Sequence, residues 1–256
     1  MRVVVCALGV LLSVGLAAAP SHAADVRPRL SLNSKVWPPF YLDDPKEPGF
    51  AHEVLDTCLA SLGYDTMFRE IPLETMFSSL RSGLLDAHVL SRDPSREGFV
   101  SFGKEPIFTG SYRPVVRAGS GITIHALSDF DKLRIGHLKG VRYAPAYHDY
   151  VLKRIEAGTV VQADENDQLL RLLLDGKVDV IVSLSATTRW LAKSMGASDK
   201  IEVLPYDVKS STYYIAVAQK SAHIPDKPAF LDAFDGCVKR MRKDGSYAKL
   251  EAKYGL

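Results

Sequence analysis

The sequence predicts an α/β protein of two similar lobes, each a mostly parallel sheet flanked by helices, joined by a hinge that the chain crosses twice. Three observations predict it. The stretch LRSGLLDAHVLSRDPSR (Leu80 to Arg96) recurs without a gap as LLDGKVDVIVSLSATTR (Leu173 to Arg189), each copy a helix end, a Gly, an Asp, an apolar strand and an Arg. Around each copy helices alternate with strands, which requires crossover connections and a sheet covered on both faces. A further strand and two helices follow the second copy, so the chain returns to the lobe it first built.

Each element has its own warrant. LSLNS reads as a strand, VWPPFYLDDPKEPG as an aromatic loop and FAHEVLDTCLASLG as a helix whose Phe50, Val54, Leu55, Cys58, Leu59 and Leu62 recur at helical spacing between Gly49 and Gly63. YDTMFREI is a strand, LETMFSSLRSG a helix stopped by Gly83, and DAHVLS a buried strand. After EPIFTGSYRPVV the order restarts with LRIGHL, AYHDYVLKRIEAG, TVVQAD, NDQLLRLLLDG ending at Gly176, and VDVIVSLS. TYYIAVAQ is the returning strand, and PAFLDAFDGCVKRMRKDGSYAKLEAKYG gives two helices broken at Gly245. The crossings are expected near Tyr112 to Val116 and Thr212 to Val217. Residues 24–113 with 213–256 then form the first lobe and 114–212 the second, and the cleft lies between facing carboxyl ends of strands.

The chain opens MRVVVCALGVLLSVGLAAAPSHA, in which Arg2 precedes an apolar core and small residues close the segment, the layout of a secretory signal over residues 1–23 cleaved near Ala23. Cys6 lies in the removed core with no small-residue lipobox before it. The expected compartment is the bacterial periplasm. The mature chain keeps 31 basic and 30 acidic residues, a net of +1, with no blocks of like charge. That balance argues against nucleic acid or a membrane surface as partner. Cys58 and Cys237 remain, and in an oxidising compartment they are either a disulfide or two small buried apolar side chains.

WPPF near the first strand, GFAHEVLDTCLASLGY, SRDPSREGFVSF, GKVDVIV and KDGSYAKLEAKYG stand in an order that resembles the extracellular solute-binding proteins, family 3, which serve ABC importers of polar amino acids and have the type II periplasmic binding fold. The resemblance covers nearly all of the mature chain. It implies a non-catalytic monomeric receptor for a small molecule, with no cofactor and no metal, partnered by an ABC permease or a membrane sensor. It also implies that Arg96, closing the segment Ser91, Arg92, Asp93, Pro94, Ser95, Arg96, pairs with a ligand carboxylate. A planar guanidinium matches a carboxylate with two parallel donors, and N–H groups at a helix start would add to the anion site. From the first loop an aromatic is expected against the ligand: Trp37 foremost, with Phe40 and Tyr41 as the others.

The family's pattern is not fully kept. The position of the second-lobe acid that receives an α-ammonium falls at Leu184 or its neighbours, where no acid stands, and the usual Gly-Thr-Thr reads Gly140, Val141, Arg142. If Arg142 enters the cleft, a ligand with more than one anionic group becomes attractive. Asp93 is a candidate for a ligand cation, and Ser183 and Ser185 for hydroxyl contacts. His52, His88, His125, His137, His148 and His223 lie singly, with no second His or acid at metal-ligand spacing, and His88 reads as a satisfied core histidine. A sensor partner, a dehydratase-like enzyme or a dehydrogenase accessory protein on the same fold are the alternatives to transport.

Overall fold

The computed structural model describes residues 27–256 together with Met1; the expected signal segment, 1–23, and its cleavage point near Ala23 lie outside the described residues. Among the described residues no helix is long and apolar enough to cross a membrane.

In chain order, β1 (Arg29–Asn33), α1 (Phe50–Ser61), β2 (Asp65–Arg69), α2 (Leu73–Ser82) and β3 (Ala87–Ser91) make the first unit. A short α3 (Pro94–Glu97), β4 (Val100–Phe102) and the long β5 (Phe108–Arg117) follow. The second unit is β6 (Ile135–Leu138), α4 (Pro145–Glu156), β7 (Val160–Ala163), α5 (Asn166–Leu174) and β8 (Val180–Leu184). Then come α6 (Ser185–Ser194), β9 (Ile201–Val203), β10 (Lys209–Ala218), α7 (Lys227–Asp244) and α8 (Ser246–Tyr254). Gly245, with φ of 80°, parts the last two helices as the sequence leads one to expect.

The strands form one curled mixed sheet in the order β2-β1-β3-β10-β5-β8-β6-β7, with β4 added beside β10 and β9 beside β5. β1 pairs parallel with β2 and β3, and β6 pairs parallel with β7 and β8. The order is therefore nearly symmetric about the antiparallel β10–β5 pair. Those two strands share a ladder from Lys209↔Tyr112 to Tyr213↔Phe108. Beyond it, β10 continues against β3 and β4, and β5 against β8 and β9. The segments Tyr112 to Val116 and Thr212 to Val217, expected to be the crossings, thus lie mainly inside the two halves of the sheet. The ladder that joins the halves sits a few residues earlier on each strand.

The repeated Asp of the two copies has a shared task. Asp86 accepts from the Ser31 N–H at 2.7 Å while its own N–H donates to the Ser31 carbonyl at 2.9 Å. Asp179 makes the same pair with Arg134, at 2.9 and 2.8 Å. Each carboxylate locks the start of its strand to a neighbouring strand, satisfying backbone donors that the ladder leaves over.

Helices cover both faces of each half. In the first half α1, α7 and α8 bury Phe50, Leu55, Phe234, Val238 and Tyr247 against one face, and α2 places Met76 and Leu80 on the other. In the second, α4 contributes Tyr147 and Val151 to one core, and α5 and α6 contribute Leu169, Leu173 and Leu191 to the other. Cys58 of α1 and Cys237 of α7 are disulfide-bonded, with Cα atoms 5.6 Å apart, so the first half is closed by a covalent link between its outgoing and returning segments.

Candidate functional site

A cavity of about 520 Å³ lies between the two halves, beside the β5–β10 ladder. The first half supplies the aromatic loop, the start of α2 and the end of β3; the second supplies the loops after β6 and β7 and the end of β8.

Arg96 is held for presentation. Its Nη1 donates to the Ser91 carbonyl at 2.6 Å and to Ser91 Oγ at 2.9 Å, and its guanidinium carbon lies 5.1 Å from the centre of the Phe77 ring. Among the described residues no carboxylate lies within ion-pair distance of it, and its remaining N–H groups have no hydrogen-bond partner. Burial lowers its pKa from the ordinary arginine value. A guanidinium anchored along one edge and half-buried against an aromatic face is positioned to grip an anion with its other donors.

The expected aromatics divide. Trp37 lines the cavity, edge-on to Phe108 at 5.6 Å and to Tyr213 at 5.3 Å. Tyr41 also lines it but is 1% exposed, and its buried hydroxyl has no partner. Phe40 is core, stacked 3.8 Å from Phe108, which in turn stacks on Tyr213. The loop is pinned to α1: Phe50 N–H donates to the Pro39 carbonyl at 2.9 Å and Ala51 N–H to the Phe40 carbonyl at 3.0 Å. Gly49, at φ 110°, makes that approach possible, because a Cβ there would collide with the Phe40 carbonyl.

Ser91, Ser183 and Arg142 line the cavity as well, and Leu184 lines it at the position where the resemblance places the family's acid. Two candidates are corrected. Asp93 lies outside the lining: it is the N-cap of α3, accepting from Ser95 N–H at 2.9 Å and Ser95 Oγ at 2.7 Å. Those bonds hold its carboxyl below the usual range, and they also occupy the helix-start N–H expected to serve an anion. Asp93 followed by Pro94 at the first helical position is a local capping signal that was available in the sequence. Ser185 begins α6 and donates to the Ser111 carbonyl at 3.0 Å, outside the lining.

His88 is corrected too: it is buried and on the cavity wall, but Nδ1 has no partner, and burial, with Arg96 second, pushes its pKa down to about 3. His52 is not single, since its Nε2 lies 3.3 Å from Asp56 one helical turn on. No group of three metal-ligating side chains is found among the described residues.

The lining includes residues that the motifs did not point to. Tyr112 and Tyr213 come from the joining ladder, their hydroxyls 3.3 Å apart, and Lys209 from the start of β10, where its Nζ donates to the Arg142 carbonyl at 3.0 Å. Burial, then the charge of Arg96, lowers the Lys209 pKa. Lys35, after β1, reaches across the cavity to Glu165 of the second half at 2.6 Å, and Lys139 pairs with Asp164 at 2.7 Å. Gly140 approaches Leu73 of the other half so closely that a Cβ would stand 3.0 Å from its Cδ2.

Solved structures share this architecture. An ancestral arginine-binding protein bound to arginine superposes with a TM-score of 0.72 at 22% identity, covering 89% of this chain and 98% of that one. A mutant of the arginine-binding protein of T. maritima gives 0.71 at 21%, covering 89% and 95%. A histidine kinase sensor domain with similarity to periplasmic binding proteins gives 0.72 at 20%, covering 89% and 96%. No curated protein matches the chain. The family model for bacterial extracellular solute-binding proteins, family 3, matches residues 32–256. With its sheet order, its cavity between two halves and that match, the chain belongs to the bacterial extracellular solute-binding proteins, family 3.

Proposed function

We propose that the exported protein is a periplasmic receptor that closes around a small polar, carboxylate-bearing ligand, an amino acid or a related small anion, and delivers it unchanged to an ABC importer. Arg96 carries the reading: a half-buried guanidinium on the cavity wall, anchored by Ser91 and lacking a carboxylate among the described residues. Of the expected lobe 24–113 with 213–256, the described residues 27–113 and 213–256 form one lobe, 114–212 form the other, and the β5–β10 ladder is the hinge between them. Trp37, Tyr41, Ser91, Arg142 and Ser183 complete the contact set, and the receptor works as a monomer.

The test is a thermal-shift screen of the mature protein against amino acids and small carboxylates, in which a ligand at 100 times its Kd stabilises the folded form by about 2.7 kcal/mol. A ligand that shifts Arg96→Ala as far as the parent protein removes Arg96 from the site. A sensor partner in place of the permease is the second reading, favoured by the similarity to a histidine kinase sensor domain. Deleting the gene abolishes uptake of the ligand under the first reading. Under the second, uptake persists and the cell's response to the ligand is lost.

A further inference from the structure

We propose that the ligand is a dianion, two carboxylates on an apolar or aromatic body, in preference to an amino acid with one carboxylate and an ammonium; this rests on the carboxylate-receptor reading above. The argument begins with the charges on the cavity wall. Five cations line it, and they fall into two groups. Lys35 and Lys139 are matched by Glu165 at 2.6 Å and Asp164 at 2.7 Å, acids that line the same cavity. Arg96, Arg142 and Lys209 have no carboxylate within ion-pair distance among the described residues.

These three are neighbours. Lys209 Nζ is bonded to the backbone of Arg142, and after burial the charge that most lowers the Lys209 pKa is Arg96. Arg142 pushes the Arg96 pKa in the same direction as burial does, while Asp93 opposes it from its capping position. Like charges gathered in a partly desolvated cleft raise one another's free energy and focus a positive potential into it. One carboxylate compensates part of that excess and a second compensates more, whereas an ammonium entering the same space adds to it.

The rest of the wall suits an uncharged body. Trp37, Phe77 and Tyr112 present ring surface, and β8 contributes Val182 and Leu184 with a single hydroxyl from Ser183. A dicarboxylate with an aromatic core would place its charges on the cation cluster and its ring among these faces.

Calorimetric titration of the mature protein with isophthalate, glutarate, benzoate, L-glutamate, L-phenylalanine and L-arginine tests the inference. A dicarboxylate is expected to bind at least tenfold more tightly than benzoate and than any of the three amino acids. Arg142→Gln and Lys209→Gln, both at cavity-lining residues, should each weaken dicarboxylate binding about tenfold, and by a larger factor than they weaken benzoate binding. Preference for an amino acid, or for benzoate, with affinity unchanged in both variants overturns the dianion inference and leaves the receptor reading standing. Absence of heat and of any thermal shift with every carboxylate overturns both. Near-ultraviolet circular dichroism of the two variants confirms that lost binding reflects lost charge and not lost fold.

Discussion

The two copies of the repeated segment keep step for the length of a strand and then part. β3 and β8 occupy equivalent places, and Asp86 and Asp179 make the same reciprocal pair with a neighbouring strand. After the strand, the first copy turns through Arg92 and Asp93 into the four-residue α3, which brings Arg96 back onto Ser91 and into the cavity. The second runs without a turn from Leu184 into α6, so its Arg189 is carried along an exposed helix face, away from the lining. The same residue in the same register lines the cavity in one half and is a solvated side chain in the other. What separates them is where the helix begins.

Arg96→Ala and Arg189→Ala are therefore the sharpest pair of variants. Removing the guanidinium beside a bound carboxylate is expected to cost about 3 kcal/mol, roughly a hundredfold in Kd, while Arg189→Ala leaves calorimetric affinity unchanged. Equal losses from the two would break the comparison.

The halves also differ in covalent closure, since the disulfide lies wholly in the first. Replacing Cys58 and Cys237 together with Ser should lower stability by about 3 kcal/mol, a fall in melting temperature of roughly 6–12 °C by scanning calorimetry. A selective loss of the first-half transition, if the halves unfold separately, would sharpen the contrast.

Each half buries a histidine, and the two titrate alike. Burial lowers His88 to about 3 and His137 to about 4, from an ordinary value of 6.5. Between those values and 6.5 the unfolded chain binds the proton and the folded chain does not. Stability is therefore present above about pH 6.5 and is lost as the pH falls through that window. His88→Leu should flatten the acid side of the melting-temperature profile by a couple of kcal/mol at about pH 4, without loss at pH 7, because the buried Nδ1 has no partner to forfeit. An unaltered acid slope in that variant leaves His137 as the group that sets it.

The smallest expected effect is at the bond between the halves. Lys35 and Glu165 are partly exposed, so breaking their pair with Glu165→Gln is worth about 0.5–1 kcal/mol. Affinity should fall two- to fivefold, and small-angle scattering of the free protein should show a more open average shape.

The fold was readable because both periodicities are strong and the repeat is ungapped. The place of Arg96 on the cavity wall was legible through the family resemblance, because the segment that carries it is local, from Ser91 to the arginine itself. Lys209 and Tyr213 were not, because they stand on the returning strand, more than a hundred residues from Arg96, and only the β5–β10 ladder brings them to the cavity. The tail SLSATTR carries no apolar period of its own, so α6 is not legible there; its Leu191 and Ala192 reach the core late in the helix. Asp93 illustrates the opposite failure, a residue whose capping task is local but whose position beside Arg96 suggested a ligand.

Trp37 has a practical consequence. The chain holds two tryptophans, and this one sits against Tyr213 and Phe108, where β5 and β10 pass from one half to the other. Under the receptor function proposed above, its indole is therefore an optical gauge of both cavity occupancy and the angle between the halves. In a Trp190→Phe background the emission comes from that single ring, and its colour and intensity follow ligand capture with no label attached.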